Sequence, residues 1–274
     1  MYTFYLWFYP VMAAILGLFI GSFLNVLIYR LPLMLYAQSN ADADGVNLWW
    51  PPSHCPECGV PVWRRDNIPV LSWLWLKGKC RHCHCAISAR YLISELVCGL
   101  VFTLLTILAW PQYNEIQIAS FCLFFCLLYS LSAIDFKHLL LPDTLVFLLL
   151  WSGLACSVTG IIDIKPRSAI YGVIVAWLLI YSVMALYAKI RGREGLGNGD
   201  VKLIAAISAW LGVEQLPALI ILSSVFGIIL YLFFLRSNMR RSIDEDNLDS
   251  PTSYIPFGPA ISLSAMVIFY TGLY

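Results

Sequence analysis

Two aspartates and two pairs of cysteines carry the chemistry that this sequence offers. Asp135 closes an apolar run in Ser132-Ala-Ile-Asp135, and Asp200 stands in Gly195-Leu-Gly197-Asn-Gly199-Asp200-Val-Lys202. A carboxylate at bilayer depth costs several kcal/mol, so such a residue is kept where it has a function. Two carboxylates a few Å apart do not both ionise cheaply; they share a proton and titrate as a pair. One member then acts as a base toward water while the protonated other polarises a scissile carbonyl, which hydrolyses a peptide without a metal or a covalent intermediate. Which aspartate takes which part stays open. Taken singly, Asp200 also reads as a helix cap and Asp135 as a boundary charge. Glu95 and Asp143 are the other acidic residues of the helical part, and Asp143, directly after Pro142, reads as a helix cap. The glycine spacing before Asp200 lets the backbone turn tightly; with no strand ahead of it, nucleotide binding is not the reading.

Cys55-Pro-Glu-Cys58 is followed, 21 residues further on, by Cys80-Arg-His-Cys83. Four thiolates in two Cys-x-x-Cys knuckles can surround Zn²⁺ tetrahedrally, and a closed site of this kind holds a fold together. Cys85, His82 and His84 crowd the second knuckle and are alternative ligands. Disulfides would require these cysteines to face an oxidising compartment. Cys98, Cys122, Cys126 and Cys156 lie in apolar runs and read as small buried hydrophobes.

The elements that position these groups must be membrane helices. The 274 residues are 60% hydrophobic and only 12% charged, with a mean hydropathy of +0.78, outside the range of a soluble globular domain. A net charge of +1 gives no basic field for nucleic acid. Apolar stretches of spanning character fall near 6–29, 91–110, 116–134, 143–162, 168–188, 201–213, 215–235 and 257–274. The first lacks the basic start and cleavage site of a secretory signal and is expected to be retained. The sixth is short enough to be a broken or half-span helix, an arrangement tolerated where backbone lines a cavity or is enclosed by protein. With eight helices, every one of the 17 Lys and Arg residues except Lys165 and Arg167 falls on one side. That asymmetry puts the 30–90 loop in the cytoplasm and both termini outside.

Motifs along nearly the whole chain resemble the type IV prepilin peptidases, the leader peptidases of pilus and type II secretion systems. The resemblance lies in Gly21-Ser-Phe-Leu-Asn25 through Arg30-Leu-Pro32, both cysteine pairs, Asp66-Asn67-Ile68-Pro69 with Ser72-Trp73, Ile87 through Arg90-Tyr91, and Glu95. It continues in Ile134-Asp135, Leu141-Pro142-Asp143, the Gly-x-Gly-Asp ending at Asp200, and Pro256-Phe-Gly-Pro259. It implies an all-α inner-membrane protein: residues 1–29 as the first helix, 30–90 as a cytoplasmic four-cysteine zinc loop, and 91–274 as a seven-helix core of the Gly-x-Gly-Asp intramembrane aspartic peptidase type. The implied activities are cleavage of prepilins and pseudopilins on the cytoplasmic side by Asp135 and Asp200, then N-methylation of the new terminal residue from S-adenosylmethionine. The methyl-transfer step is associated with the cysteine-bearing loop, where Asp66 is the candidate cofactor-binding residue at a position occupied by Glu in many members.

A prepilin has an apolar helix after its leader and can lie laterally against such a bundle, whose remaining partners are membrane lipids. The acidic run Asp244-Glu245-Asp246 with Asp249 reads as a solvated loop rather than a dock for a basic leader. Two other classes compete. A proton-coupled transporter also uses buried carboxylates but would show inverted repeats, which are not evident here. A non-catalytic scaffold leaves the paired aspartates unexplained.

Overall fold

The computed structural model describes residues 2–39, 47–192, 197–241 and 256–272. Arg193, Gly195 and the acidic run 244–249 lie outside these residues. Within them the chain is helical, and five helices are long and apolar enough to cross a membrane: the stretches Trp7–Ala37, Ala89–Ala109, Glu115–His138, Pro166–Arg191 and Val213–Phe233. Each of the eight apolar stretches of the sequence contains a helix, but three of these helices have fewer than 18 residues. The chain divides into two compact units, Met1–Cys126 and Leu127–Tyr274.

The first unit is built on α1 (Tyr2–Ser39) and α3 (Ala89–Ala109), with a short helix α2 (Leu71–Trp75) in the segment between them. Its α1 runs ten residues past the expected end at 29, straight through Pro32. At 1.5 Å per residue its 38 residues reach about 57 Å, well beyond a hydrocarbon core of about 30 Å. Arg30 and Pro32 therefore lie in the helix, and the loop assigned to 30–90 begins only after Ser39. Glycines let the two long helices meet backbone to backbone. A Cβ at Gly17 would lie 2.7 Å from the Cys98 carbonyl oxygen, and one at Gly21 would lie 2.9 Å from the Glu95 Cα. Small residues at such crossings are how apolar helices pack where lipid removes the hydrophobic drive. Cys98, Cys122, Cys126 and Cys156 are all buried free thiols, as expected.

The chain passes from the first unit to the second within α4 (Glu115–His138). The second unit then contains α5 (Asp143–Val158), α6 (Pro166–Arg191), α7 (Asn198–Leu211), α8 (Leu216–Arg241) and α9 (Gly258–Thr271). The short helix α7 is its centre. Its 14 residues cover only about 21 Å, and every residue from Leu203 to Leu211 is buried. Its C-terminal end is thus enclosed by protein rather than lipid, the condition under which a short helix is tolerated at membrane depth, while its N-terminal end at Gly197 and Asn198 is exposed. Gly153 of α5 admits the Trp210 ring, whose indole N–H donates to the Leu149 carbonyl at 2.8 Å. Gly172 of α6 sits against the Ser208 carbonyl, and Phe269 of α9 meets Trp210 edge to face.

Candidate active site and metal centre

Asp135 lies in the last turn of α4, which runs four residues past the expected end at 134, and is 5% exposed. Its Oδ2 accepts the backbone N–H of Gly258, the first residue of α9, at 2.8 Å. That amide is otherwise one of the unpaired donors of a helix N-terminus. The approach requires glycine, since a Cβ on residue 258 would stand 2.7 Å from the same oxygen. The Pro256-Phe-Gly-Pro259 motif, which suggested no role in the sequence, therefore holds one carboxylate in place.

Asp200 is the third residue of α7 rather than part of a preceding loop, because Gly197 is already the N-cap. The Asp200 amide donates to the Gly197 carbonyl at 3.1 Å, and its carboxylate turns back toward the Gly197 amide. An acidic residue at this position reaching back to the N-cap amide is the acidic half of a capping box. The capping reading and the catalytic reading of Asp200 thus describe the same orientation. Gly199 lets the start of α7 come within 3.1 Å, measured from its would-be Cβ, of Leu141 ahead of α5. The Asp135 carboxylate is close enough to Asp200 for the two to interact as like charges. This brings together, within the second unit, the two acidic groups singled out from the sequence.

The reading of Asp143 as a cap is corrected. It is the first residue of α5, and the N-cap before it, Pro142, makes no side-chain cap bond. Both Asp143 oxygens instead accept from Lys202 Nζ, at 2.8 and 2.9 Å. Lys202 stands two residues beyond Asp200, so this ion pair ties the beginning of α7 to that of α5. A basic residue so close after a candidate catalytic aspartate was the signal for it in the sequence.

In the first unit, ligand atoms of Cys55, Cys58, Cys80 and Cys83 lie within 4.8 Å of one another and could hold a metal ion. Each knuckle closes in the same way. Gly59 N–H donates to the Cys55 carbonyl and His84 N–H to that of Cys80, with Gly59 at φ 69° and His84 at φ 58° in left-handed turns. The backbone N–H groups of Cys58 and Glu57 bring the Cys55 thiol down to about 6, and those of Cys83 and His82 lower Cys80. Amides aimed at sulfur stabilise thiolates, the form that binds metal. Cys85 stands beside the four. Its Sγ lies 3.4 Å from that of Cys55, and hydrogen bonds with Cys83 and Cys55 push it up to about 12. Cys58, one of the four, is likewise raised to about 11 despite the Val60 amide, by burial and its sulfur neighbours. The donor set fits zinc, with Cys85 outside the four.

Asp66 is engaged on both oxygens by Arg81, at 2.6 and 2.7 Å, and its side chain is 8% exposed. Arg81 sits inside the second knuckle, so the pair fastens the short turn Arg64–Asn67 to the metal cluster. The guanidinium holds the Asp66 carboxyl below its ordinary range. Glu95, without an assigned part in the sequence, is buried on α3 and accepts the Val70 backbone N–H at 2.7 Å.

Five helices long and apolar enough to cross a membrane, with a buried aspartate at the end of one of them and a cluster of four cysteines in the first unit, mark a multi-pass membrane protein. The sequence itself is similar to proteins of that class. The pattern described as the bacterial peptidase A24 N-terminal domain matches residues 15–109, and that of the type IV leader peptidase family matches residues 122–232. The chain belongs to the type IV leader peptidase family. It is 39% identical over 272 residues to the prepilin leader peptidase/N-methyltransferase of Stutzerimonas stutzeri, covering 95% of this chain and 90% of the relative. Against the protein of the same name from Pectobacterium carotovorum it is 37% identical over 262 residues, 92% of this chain and 89% of the relative. A type 4 prepilin-like proteins leader peptide-processing enzyme of Escherichia coli O78:H11 is 37% identical over 272 residues, 95% of this chain and 93% of the relative. No solved structure matches. Nothing in these matches supports the transporter reading.

Proposed function

We propose that this chain cleaves the leader peptide from type IV prepilins and pseudopilins with Asp135 and Asp200 and then N-methylates the new terminal residue. The observation that carries the peptidase reading is the pairing of the two carboxylates, one fixed by the Gly258 amide and the other turned to the Gly197 amide. A water placed between them loses a proton to the ionised member as it attacks the scissile carbonyl. The protonated member donates a hydrogen bond to the carbonyl oxygen, where charge develops. The proton then passes to the leaving amine. No covalent adduct is required. The Gly258 amide holds its aspartate at one position throughout, which spares the reorganisation that a mobile carboxylate would need.

In the full arrangement all eight helical stretches sit in the inner membrane, three of them shorter than a complete span, with both termini periplasmic. The metal loop and the aspartates then face the cytoplasm, as the distribution of Lys and Arg requires. Zinc at Cys55, Cys58, Cys80 and Cys83 has a structural part, since four thiolates leave no open position for substrate. S-adenosylmethionine is the methyl donor. For Asp66 to contact that cofactor, its clasp on Arg81 must open, because both carboxylate oxygens are already used.

The experiment is leader removal from a prepilin by the purified full chain, compared with Asp135→Asn and Asp200→Asn. Each substitution is expected to abolish cleavage while helix content and bound zinc stay at the wild-type level. Full cleavage by either variant removes the paired-carboxylate mechanism.

A further inference from the structure

We infer that the cysteine-bearing loop is docked into the surface of the lipid bilayer through Trp49, Leu71, Leu74 and Trp75, with basic residues beside them on anionic headgroups. These side chains are far out of the protein: Trp49 is 81% exposed, Leu71 61%, Leu74 55% and Trp75 84%. The inference rests on α1 and α3 crossing a membrane and does not depend on the peptidase reading.

Two tethers hold the loop alongside the long helices instead of beyond their ends. In the first, Arg30, buried within α1, donates to the carbonyls of Asn47, Leu48 and Pro51. Trp49 is thereby brought to 6.5 Å, ring centre to ring centre, from Phe23, which lies inside the apolar stretch Trp7–Ala37. In the second, Glu95 accepts the amide of Val70, the N-cap of α2. Glu95 is the seventh residue of α3, about 9 Å along it from the start. With 21 residues, α3 reaches only about 32 Å, so it has almost no length to spare across a hydrocarbon core of about 30 Å. The start of α2 is therefore tied to a point about 9 Å in from the start of α3, the depth of the boundary between headgroups and acyl chains. Gly21 of α1 packs against the backbone of Glu95 and Asn25 donates to the Tyr91 carbonyl, so Arg30, nine residues beyond Gly21, lies about 14 Å further along α1, level with the start of α3 or just past it.

The side chains of α2 divide accordingly. Trp73 turns inward, its indole N–H donating to the Ile87 carbonyl and its ring lying against Gly78. Leu71, Leu74 and Trp75 turn outward and are largely uncovered among the described residues. Tryptophan concentrates at membrane interfaces because its ring sits in the acyl boundary while its N–H stays among headgroups. Lys77 and Lys79 follow directly after α2 and are exposed, as are Arg65 and Arg90, and each Lys or Arg near an anionic leaflet is attracted to it. Apolar anchors rimmed by cations are the pattern of an element lying in the interface plane. The depth set by the Glu95 and Arg30 tethers selects lipid over a soluble protein partner.

The test uses the full chain in nanodiscs containing phosphatidylglycerol, with its 10 tryptophans replaced by 5-fluorotryptophan. Trp49→Phe and Trp75→Phe assign the two resonances, and fully buried Trp210 is the internal reference. A gadolinium chelate attached to lipid headgroups should broaden Trp49 and Trp75 severalfold more than Trp210, and a water-soluble gadolinium chelate should broaden them far less than the lipid-bound one. Stronger broadening by the soluble chelate overturns the inference. It is equally overturned if the headgroup chelate leaves both signals sharp while added prepilin shifts them, since the surface would then belong to the substrate's apolar segment.

Discussion

Gly258→Ala tests the site through a residue that has no side chain to contribute. An alanine methyl there would stand 2.7 Å from Asp135 Oδ2 and 3.0 Å from its Cγ, where ordinary contact begins at 3.4 Å. The carboxylate must therefore retreat by about 0.7 Å, the difference between 3.4 and 2.7 Å, and its bond to the residue 258 amide stretches with it. Displacement of a catalytic group by about 1 Å costs up to ~10²-fold in rate, so prepilin cleavage should fall by about ten- to a hundredfold. Because the loss comes from misplacing a group that acts on the reacting carbonyl, it should appear in kcat with KM little changed. The assay is initial-rate leader removal from a purified prepilin across substrate concentrations, with thermal unfolding measured alongside. Wild-type kcat in a variant that unfolds at the wild-type temperature would refute the positioning argument. A fall in KM-controlled rate alone would refute it too, by showing that Gly258 serves substrate binding instead.

The metal site makes a sharper distinction among ligands. Cys55→Ser and Cys80→Ser should each lower bound zinc to background, whereas His84→Gly should keep it, because His84 supplies a left-handed turn and not a ligand; atomic absorption on the purified chain decides. The Asp143 and Lys202 side chains are 53% and 40% exposed, and exposed pairs are worth at most ~1 kcal/mol. A double-mutant cycle with Asp143→Asn and Lys202→Met should accordingly show a coupling of that size and only a severalfold loss of cleavage, and total inactivation would place Lys202 in the chemistry itself. Asp66 is predicted to titrate below the ordinary carboxylate value of about 3.9 and to return to it in Arg81→Gln, as followed by carboxyl ¹³C NMR. Because its value is depressed in the folded loop, the pair's contribution to loop stability is present above about pH 4 and fades as pH falls through the lowered value. An unchanged titration in Arg81→Gln would refute the clasp.

Much of the site was legible because membrane sequences make charge conspicuous. Asp135, Asp200 and Glu95 stand out against apolar runs, and the placement of the two aspartates at helix ends follows from the cost of a charge in hydrocarbon, whereas Glu95 lies within α3. The cysteine spacing likewise needs no tertiary context. What escaped were contacts made through backbone. The Gly258 amide on Asp135 joins residues 123 positions apart, and neither glycine nor its N–H carries a sequence signature of its own. Asp143 was misread for a related reason. Its position after Pro142 satisfies every local rule for a cap, yet the carboxylate is drawn to a lysine 59 residues away that only the packing of α5 on α7 brings near. Apolarity stops before the helix does in α1, which continues through Arg30 and Pro32 with the buried guanidinium hydrogen-bonded to the carbonyls of Asn47, Leu48 and Pro51.

The division of the chain gives these errors and successes a common sense. The thiolate cluster, the Asp66 clasp and the Glu95 tether all belong to the unit ending at Cys126, while both aspartates and every group that orients them belong to the unit beginning at Leu127. Among the described residues, the hydrogen bonds named for each set join residues of a single unit. If zinc fills the four-cysteine site and methyl transfer depends on the loop, as proposed, loss of zinc should unravel the loop while leaving the Asp135 and Asp200 carboxylates held by Gly258 and Gly197. A zinc-stripped chain that still removes leaders, yet no longer methylates the product, is what two chemically independent sites on one polypeptide require.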